Sequence, residues 1–168
     1  MPLPRMNRRD ALLAAVTLGA GMAMSRTARS ARSARSASAG ATVTKAIPSS
    51  GQKIPVIGIG TNNYNVTDAE ELAARRAVLQ QLPRQGGAVV DTAPLYGRAE
   101  EVIGDLVAGL HNRDRLFLAT KVMTPDAKAG AASMEDSMRR LRTQHIDLMQ
   151  VHNLIGVGVM IPVLQEWK

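Results

Sequence analysis

Cysteine is absent from the 168 residues. That excludes a disulfide framework and any thiolate nucleophile, and it suits an exported protein without requiring export. An apolar run long enough to cross a membrane is also missing. The most apolar stretch, Ala11 to Met24, has 14 residues. At about 1.5 Å each these fall short of a hydrocarbon core roughly 30 Å thick, so no stable membrane anchor is expected. The third absence is net charge in the body of the chain. The formal charge of +7 belongs to residues 1–45, where seven Arg and one Lys face the single acid Asp10. Residues 46–168 carry 13 bases and 13 acids. A neutral body argues against a nucleic-acid partner.

What the leader does contain is ordered. Asn7-Arg8-Arg9-Asp10 precedes the apolar run, and Leu12-Leu13 follow within it. This resembles a twin-arginine export signal with its hydrophobic region. Three copies of Ala-Arg-Ser run from Ala28 to Ser36, a low-complexity tract with nothing to bury. Small-residue cleavage sites lie at Ala37-Ser38-Ala39 and Ala39-Gly40-Ala41. Residues 1–41 are therefore expected to be a signal and disordered leader, directing the protein to the periplasm. A start codon assigned too far upstream would instead leave the body cytoplasmic. The compact apolar run argues against an organellar transit peptide.

The body, residues 42–168, alternates between two periodicities. Thr42–Ile47 and Lys53–Ile54 flank the turn Pro48-Ser49-Ser50-Gly51 and predict a small hairpin. Pro55–Gly60 is a continuous apolar run, as expected for a strand buried on both faces. Thr67-Asp68-Ala69-Glu70 reads as a capping box opening a helix that runs to about Gln81. Ala88-Val89-Val90 predicts a second strand, closed by Asp91. A turn containing Pro94, Tyr96 and Gly97 leads to a helix whose apolar face carries Val102, Ile103, Leu106, Val107 and Leu110. Leu116–Thr120 predicts a third strand with Lys121 at its end. Met134, Met138 and Leu141 mark a third helix, and Ile146–Val151 a fourth strand ending at His152-Asn153. Pro162 fits the first turn of a further helix. A hairpin followed by β-α-β-α-β-α-β-(α) means a parallel sheet covered by helices, either doubly wound or a barrel.

Three successive strands thus end in Asp91, Lys121 and His152, with Tyr96 in a loop between the first two. A lone charge at a strand end is usually a solvated boundary, and a lone histidine is more often structural than catalytic. Together they weigh more, because the carboxyl ends of parallel strands open on one face. Tyrosine near neutrality is a poor acid and a poor base; an adjacent ammonium favours its phenolate. A carboxylate holds that ammonium in place, and a histidine can donate to a substrate oxygen. The set suits proton delivery to a carbonyl as hydride arrives from a cofactor.

IPVIGIGT, DTAPLYGRAEEVIG, LFLATKV and IDLMQVHN, in that order between Lys53 and Lys168, resemble the aldo-keto reductase family. The resemblance implies the catalytic tetrad Asp91, Tyr96, Lys121 and His152. Tyr96 is then the general acid/base, Lys121 its modulator, Asp91 the partner of the lysine, and His152 the orienter of the carbonyl. It further implies Thr61, Asn62 and Asp91 at the cofactor, Tyr96, His152 and Asn153 at a small-molecule carbonyl substrate, NADPH (or NADH) as cofactor, and a (β/α)8 TIM barrel. Such a barrel takes about 250 residues, whereas 127 remain from Thr42 onward. The expectation is therefore an α/β chain forming the N-terminal half of the barrel, about four βα units after a hairpin, truncated before the cofactor site is complete. Two readings follow: an NAD(P)H-dependent carbonyl reductase seen in part, or a non-catalytic half-barrel that self-associates through open sheet edges.

Overall fold

The computed structural model describes residues 42–168; the predicted leader lies outside the described residues. The order of elements is that expected from the alternating periodicities. Strands β1 (Thr44–Ala46) and β2 (Lys53–Pro55) form the antiparallel hairpin, with Lys45 opposite Ile54. Its turn is closed by the Ile47 and Gln52 backbones and by Gly51 in the left-handed region. Four parallel strands follow: β3 (Gly58–Gly60), β4 (Val89–Asp91), β5 (Phe117–Val122) and β6 (Leu148–Val151), hydrogen-bonded in chain order. Helices α1 (Ala69–Gln81), α2 (Ala99–Leu110) and α3 (Ala127–Arg140) are the connections, and α4 (Val157–Glu166) comes after β6. No described helix is long and apolar enough to cross a membrane.

Side chains alternate across each strand. Val90 on β4 and Leu118 on β5 point to the helical side, where they meet Leu79 of α1, Ile103 and Val107 of α2, and Leu141 just after α3. Val122, Met134 and Met160 make a second cluster between β5, α3 and α4, backed by Met149 and Val151. The other parity places Asp91, Ala119, Lys121 and Gln150 on the opposite face. The register fixes this: Asp91 lies opposite Ala119, and Lys121 opposite Gln150.

One charged residue is sealed on the helical side. Glu100, in the first turn of α2, is fully buried. It accepts from Thr120 Oγ1 of β5 at 2.6 Å, Ser137 Oγ of α3 at 3.3 Å and Arg140 Nε at 2.7 Å. The carboxylate thereby ties two helices to the central strand. The helices also pass close to each other. A Cβ on Gly104 of α2 would sit 2.8 Å from the Leu141 carbonyl carbon, which reserves that position for glycine.

Three local expectations are corrected. The helix start is capped by Asp68, whose carboxylate accepts from the Glu70 and Glu71 amides at 2.9 and 3.0 Å. Thr67 lies one residue too early for that role, and the shift makes Glu71 the third helical residue. The run Pro55–Gly60 is not a strand buried on both faces. Val56 and Ile57 are exposed, since they form the bend between β2 and β3, and β3 has a strand partner on one side only among the described residues. Pro162 is the sixth residue of α4, not part of its first turn. The helix starts earlier because Gly156, at φ 70°, turns the chain and its carbonyl accepts from Val159 and Met160.

Arg140→Ala would leave a buried carboxylate without its counter-ion. Urea unfolding is expected to show a loss of about 3–5 kcal/mol. Adding Glu100→Gln to that variant recovers most of the loss, since a neutral amide keeps partners in Thr120 and Ser137. A single variant as stable as the parent would show that the pair carries no such weight.

Candidate active site

Burying an ammonium demands partners, and Lys121 has them. Its Nζ donates to Asp91 Oδ2 at 2.7 Å and to the Thr92 carbonyl at 2.8 Å. Its side chain is 12 % exposed, that of Asp91 37 %. Both contacts cross from β5 to the end of β4, so the parallel ladder itself brings the pair together. Lys121 is the fifth of six residues in β5, one step inside the predicted strand end.

Tyr96 comes from the loop between β4 and α2. The Lys121 ammonium lies over its ring, 5.2 Å from the centroid. His152, the first residue after β6, meets the same ring edge-on, with centroids 6.0 Å apart and planes at 88°. Its Nδ1 is buried and has no hydrogen-bond partner among the described residues. The four predicted residues thus stand together at the carboxyl end of the sheet, a half-buried acid–base set open on one side.

The loop carrying Tyr96 is held from elsewhere. The Tyr96 amide donates to the Ala93 carbonyl at 3.0 Å. Asn65, in the loop after β3, accepts from the Arg98 amide at 3.1 Å. Gly97, at φ 61°, lies against Asn65 so closely that a Cβ would come within 2.6 Å of the amide carbon. Sequence reasoning passed over Asn65, whose only signal was a polar residue in the first βα loop.

Thr61 is buried, and both its amide and its hydroxyl donate to the Asp91 carbonyl, at 3.0 and 2.9 Å. It therefore fixes the backbone beneath the carboxylate. Asn62 and Asn153 are exposed, and among the described residues no hydrogen bond joins either to the set. Asn153 and Leu154 follow His152 with φ of 52° and 58°, a tight left-handed reversal directly after the histidine. Gln150 was also missed. Its Nε2 donates to Asp91 Oδ1 at 3.0 Å, completing the carboxylate's partners.

Known proteins resemble this chain in sequence and in fold. The model of the Aldo/keto reductase family matches residues 56–163. The chain is 36 % identical over 113 residues to methylglyoxal reductase YeaE of Escherichia coli, covering 64 % of this chain and 39 % of that protein. It is 30 % identical over 119 residues to an NADPH-dependent codeinone reductase of Papaver somniferum, covering 65 % and 35 %. An aldo-keto reductase of Klebsiella pneumoniae solved with NADPH superposes with a TM-score of 0.58 and 31 % identity, over 74 % of this chain and 46 % of that one. For the fold alone, an aldo-keto reductase from Bacillus halodurans gives a TM-score of 0.63 at 24 % identity, over 76 % and 46 %. The chain spans little more than a third of the length of the curated relatives it matches. Its parallel strands and helices correspond to part of the (β/α)8 barrel. On the family match over most of the body, the chain belongs to the aldo/keto reductase family.

Proposed function

We propose that this chain carries the proton-handling part of an NAD(P)H-dependent reductase that converts a small carbonyl compound to an alcohol. The observation that carries the reading is the Lys121 ammonium, clamped by Asp91 and the Thr92 carbonyl while lying over the Tyr96 ring. Bound NADPH or NADH would supply hydride to the carbonyl carbon. The chemistry of the donor set fits the reactive end of such a cofactor with a carbonyl beside it. Tyr96, Lys121 and His152 lie together at the carboxyl end of the sheet. Asp91 and Asn62 are the residues expected to face the cofactor, with Thr61 acting beneath them through the Asp91 backbone.

Tyr96 gives its phenolic proton to the carbonyl oxygen as the carbon becomes tetrahedral, so the oxygen stays bonded to that carbon and becomes the alcohol hydroxyl. Lys121 offsets the charge left on the phenolate. Asp91 keeps that ammonium aimed at the ring rather than at solvent. His152 orients the carbonyl by donating to its oxygen, with Asn153 beside it at the substrate.

Joined in frame to the second half of a related barrel, the chain is expected to gain NADPH-dependent reduction of a simple aldehyde, which residues 42–168 alone are expected not to show. Tyr96→Phe in that chimera lowers kcat by about 10²–10⁴-fold while cofactor affinity holds, since only the proton donor is lost. Lys121→Met cripples the rate as well. Loss of His152 depresses kcat/KM more than cofactor binding. Full turnover by a folded, cofactor-binding Tyr96→Phe chimera would show that another group is the acid.

The leader is read as a twin-arginine export signal, supported by Arg8-Arg9 ahead of a short apolar run. Changing both arginines to lysine is expected to hold the full-length protein in the cytoplasm. Unaltered processing and a periplasmic location in that variant count against export by this route.

A second reading, a half-barrel that acts as an interaction module, is favoured by one observation. Strands β3 and β6 each have a single strand partner among the described residues, and Ile57 and Leu148 beside those edges are exposed. Unpaired strand edges invite pairing with another chain. Light scattering on the 168-residue chain is expected to show concentration-dependent association. A monomer with a sharp cooperative melt removes this reading.

A further inference from the structure

We propose that Gln150 is a positioning residue for the Asp91–Lys121 pair, holding the carboxylate in the one orientation that keeps the lysine charge on Tyr96. The inference rests on the reading of Lys121 and Tyr96 given above. Gln150 sits in the middle of β6, directly opposite Lys121 in the parallel ladder. Neighbouring strands run about 4.8 Å apart with matching parity, so the two side chains share the site face. Lys121 reaches from β5 to Asp91 on β4, and Gln150 reaches the same carboxylate across β5 from β6.

The two contacts divide the carboxylate. Oδ2 takes the ammonium at 2.7 Å, and Oδ1 takes the Gln150 amide at 3.0 Å. A carboxylate turns about a broad two-fold torsion, and with Lys121 as its only partner Asp91 could swing toward solvent. Its side chain is more than a third exposed, so water is at hand to draw it there. The glutamine amide removes that freedom. An ionised carboxylate only accepts, so the NH₂ group must face it.

Neutrality of the amide matters equally. A lysine or arginine at position 150 would compete for Asp91 and release Lys121. A carboxylate there would draw the ammonium off the ring. An apolar side chain would leave Oδ1 to solvent. The amide binds Oδ1 without adding charge, and by sharing the carboxylate's electron density it leaves more of the lysine's field directed at Tyr96. The charged and titratable groups around Tyr96 are Lys121 and Asp91 from the sheet, His152 after β6, and the exposed Arg98–Glu101 pair at the start of α2. Among the described residues, Asp91 is the one of these that Gln150 hydrogen-bonds.

The full chain has two tyrosines, Tyr96 and Tyr64. Labelled at the ring carbon bearing oxygen, they give two NMR signals, assigned with Tyr96→Phe and followed through alkaline pH. Tyr64 is an internal control. It is buried, burial pushes its ionisation above the ordinary tyrosine value, and the Arg75 guanidinium over its ring partly offsets this. Lys121→Met is expected to move the Tyr96 titration to higher pH. Gln150→Leu should move it the same way by a smaller step, about three- to tenfold in ionisation constant, the range of one hydrogen bond. Gln150→Glu should move it further than Gln150→Leu, with Tyr64 unmoved in all three. If Lys121→Met shifts Tyr96 and both Gln150 variants leave it in place, the positioning role is overturned and the lysine's role stands. A Gln150 variant that shifts both tyrosines equally reflects general loosening and also overturns it. If Lys121→Met itself has no effect, the reading of the lysine fails, and this inference fails with it.

Discussion

An ammonium that is almost out of water needs charge and acceptors in fixed places, and most of the site follows from meeting that need for Lys121. Asp91 must end β4, since only there does a carboxylate stand beside the neighbouring strand at the right height. The chain must then turn so that the Thr92 carbonyl also faces the ammonium. Thr61 holds the Asp91 backbone from the other side with two hydrogen bonds. Gln150 completes the carboxylate from β6. Four consecutive parallel strands therefore contribute to one ion pair. The penalty for leaving the nearly buried ammonium unpaired, on the order of a few kcal/mol, outweighs a typical surface ion pair, whereas Asp91, more than a third exposed, can still turn to water.

The opposite face of β5 repeats the arrangement with the charges exchanged. Thr120, the residue before Lys121, points to the helices and donates to Glu100, which is sealed from solvent and balanced by Arg140. Adjacent residues of one strand thus serve two ion pairs on opposite faces, one half-buried and one built on a fully buried carboxylate. The inner pair presents charge to the open end of the sheet; the outer pair pins α2 and α3 against it. Since α2 begins three residues after Tyr96, the outer pair also fixes where the tyrosine loop must end.

Much of this was legible in the residues. Alternation of apolar runs with helical spacing marked the strands and helices, and Asp91, Lys121 and His152 stood out as polar groups closing apolar strands. What escaped depends on register and on packing. Gln150 lies inside an apolar strand, and only the pairing of β5 with β6 shows that it faces Asp91. Glu100 sits next to the exposed Glu101, and nothing in Ala99-Glu100-Glu101 says which of them is buried. Thr67 and Asp68 are both good helix caps; a one-residue difference in where the chain turns decides between them. Pro162 misled because proline is commonest in a first turn, whereas Gly156 and the packing of Met160 set the start of α4.

The two parts of the site are held by different means. Asp91, Lys121 and Gln150 belong to the ladder, where backbone pairing between strands sets their spacing. Tyr96 belongs to a loop, placed by Asn65, by the turn at Gly97 and by the start of α2. A ladder deforms little, so the ammonium and its carboxylate keep their spacing. On the reading proposed above, Tyr96 is the group that transfers a proton, and a loop can adjust by fractions of an ångström as that group approaches and withdraws from the oxygen it would serve. Rigidity would then reside with the electrostatic partner, which gains from preorganisation, and compliance with the proposed acid.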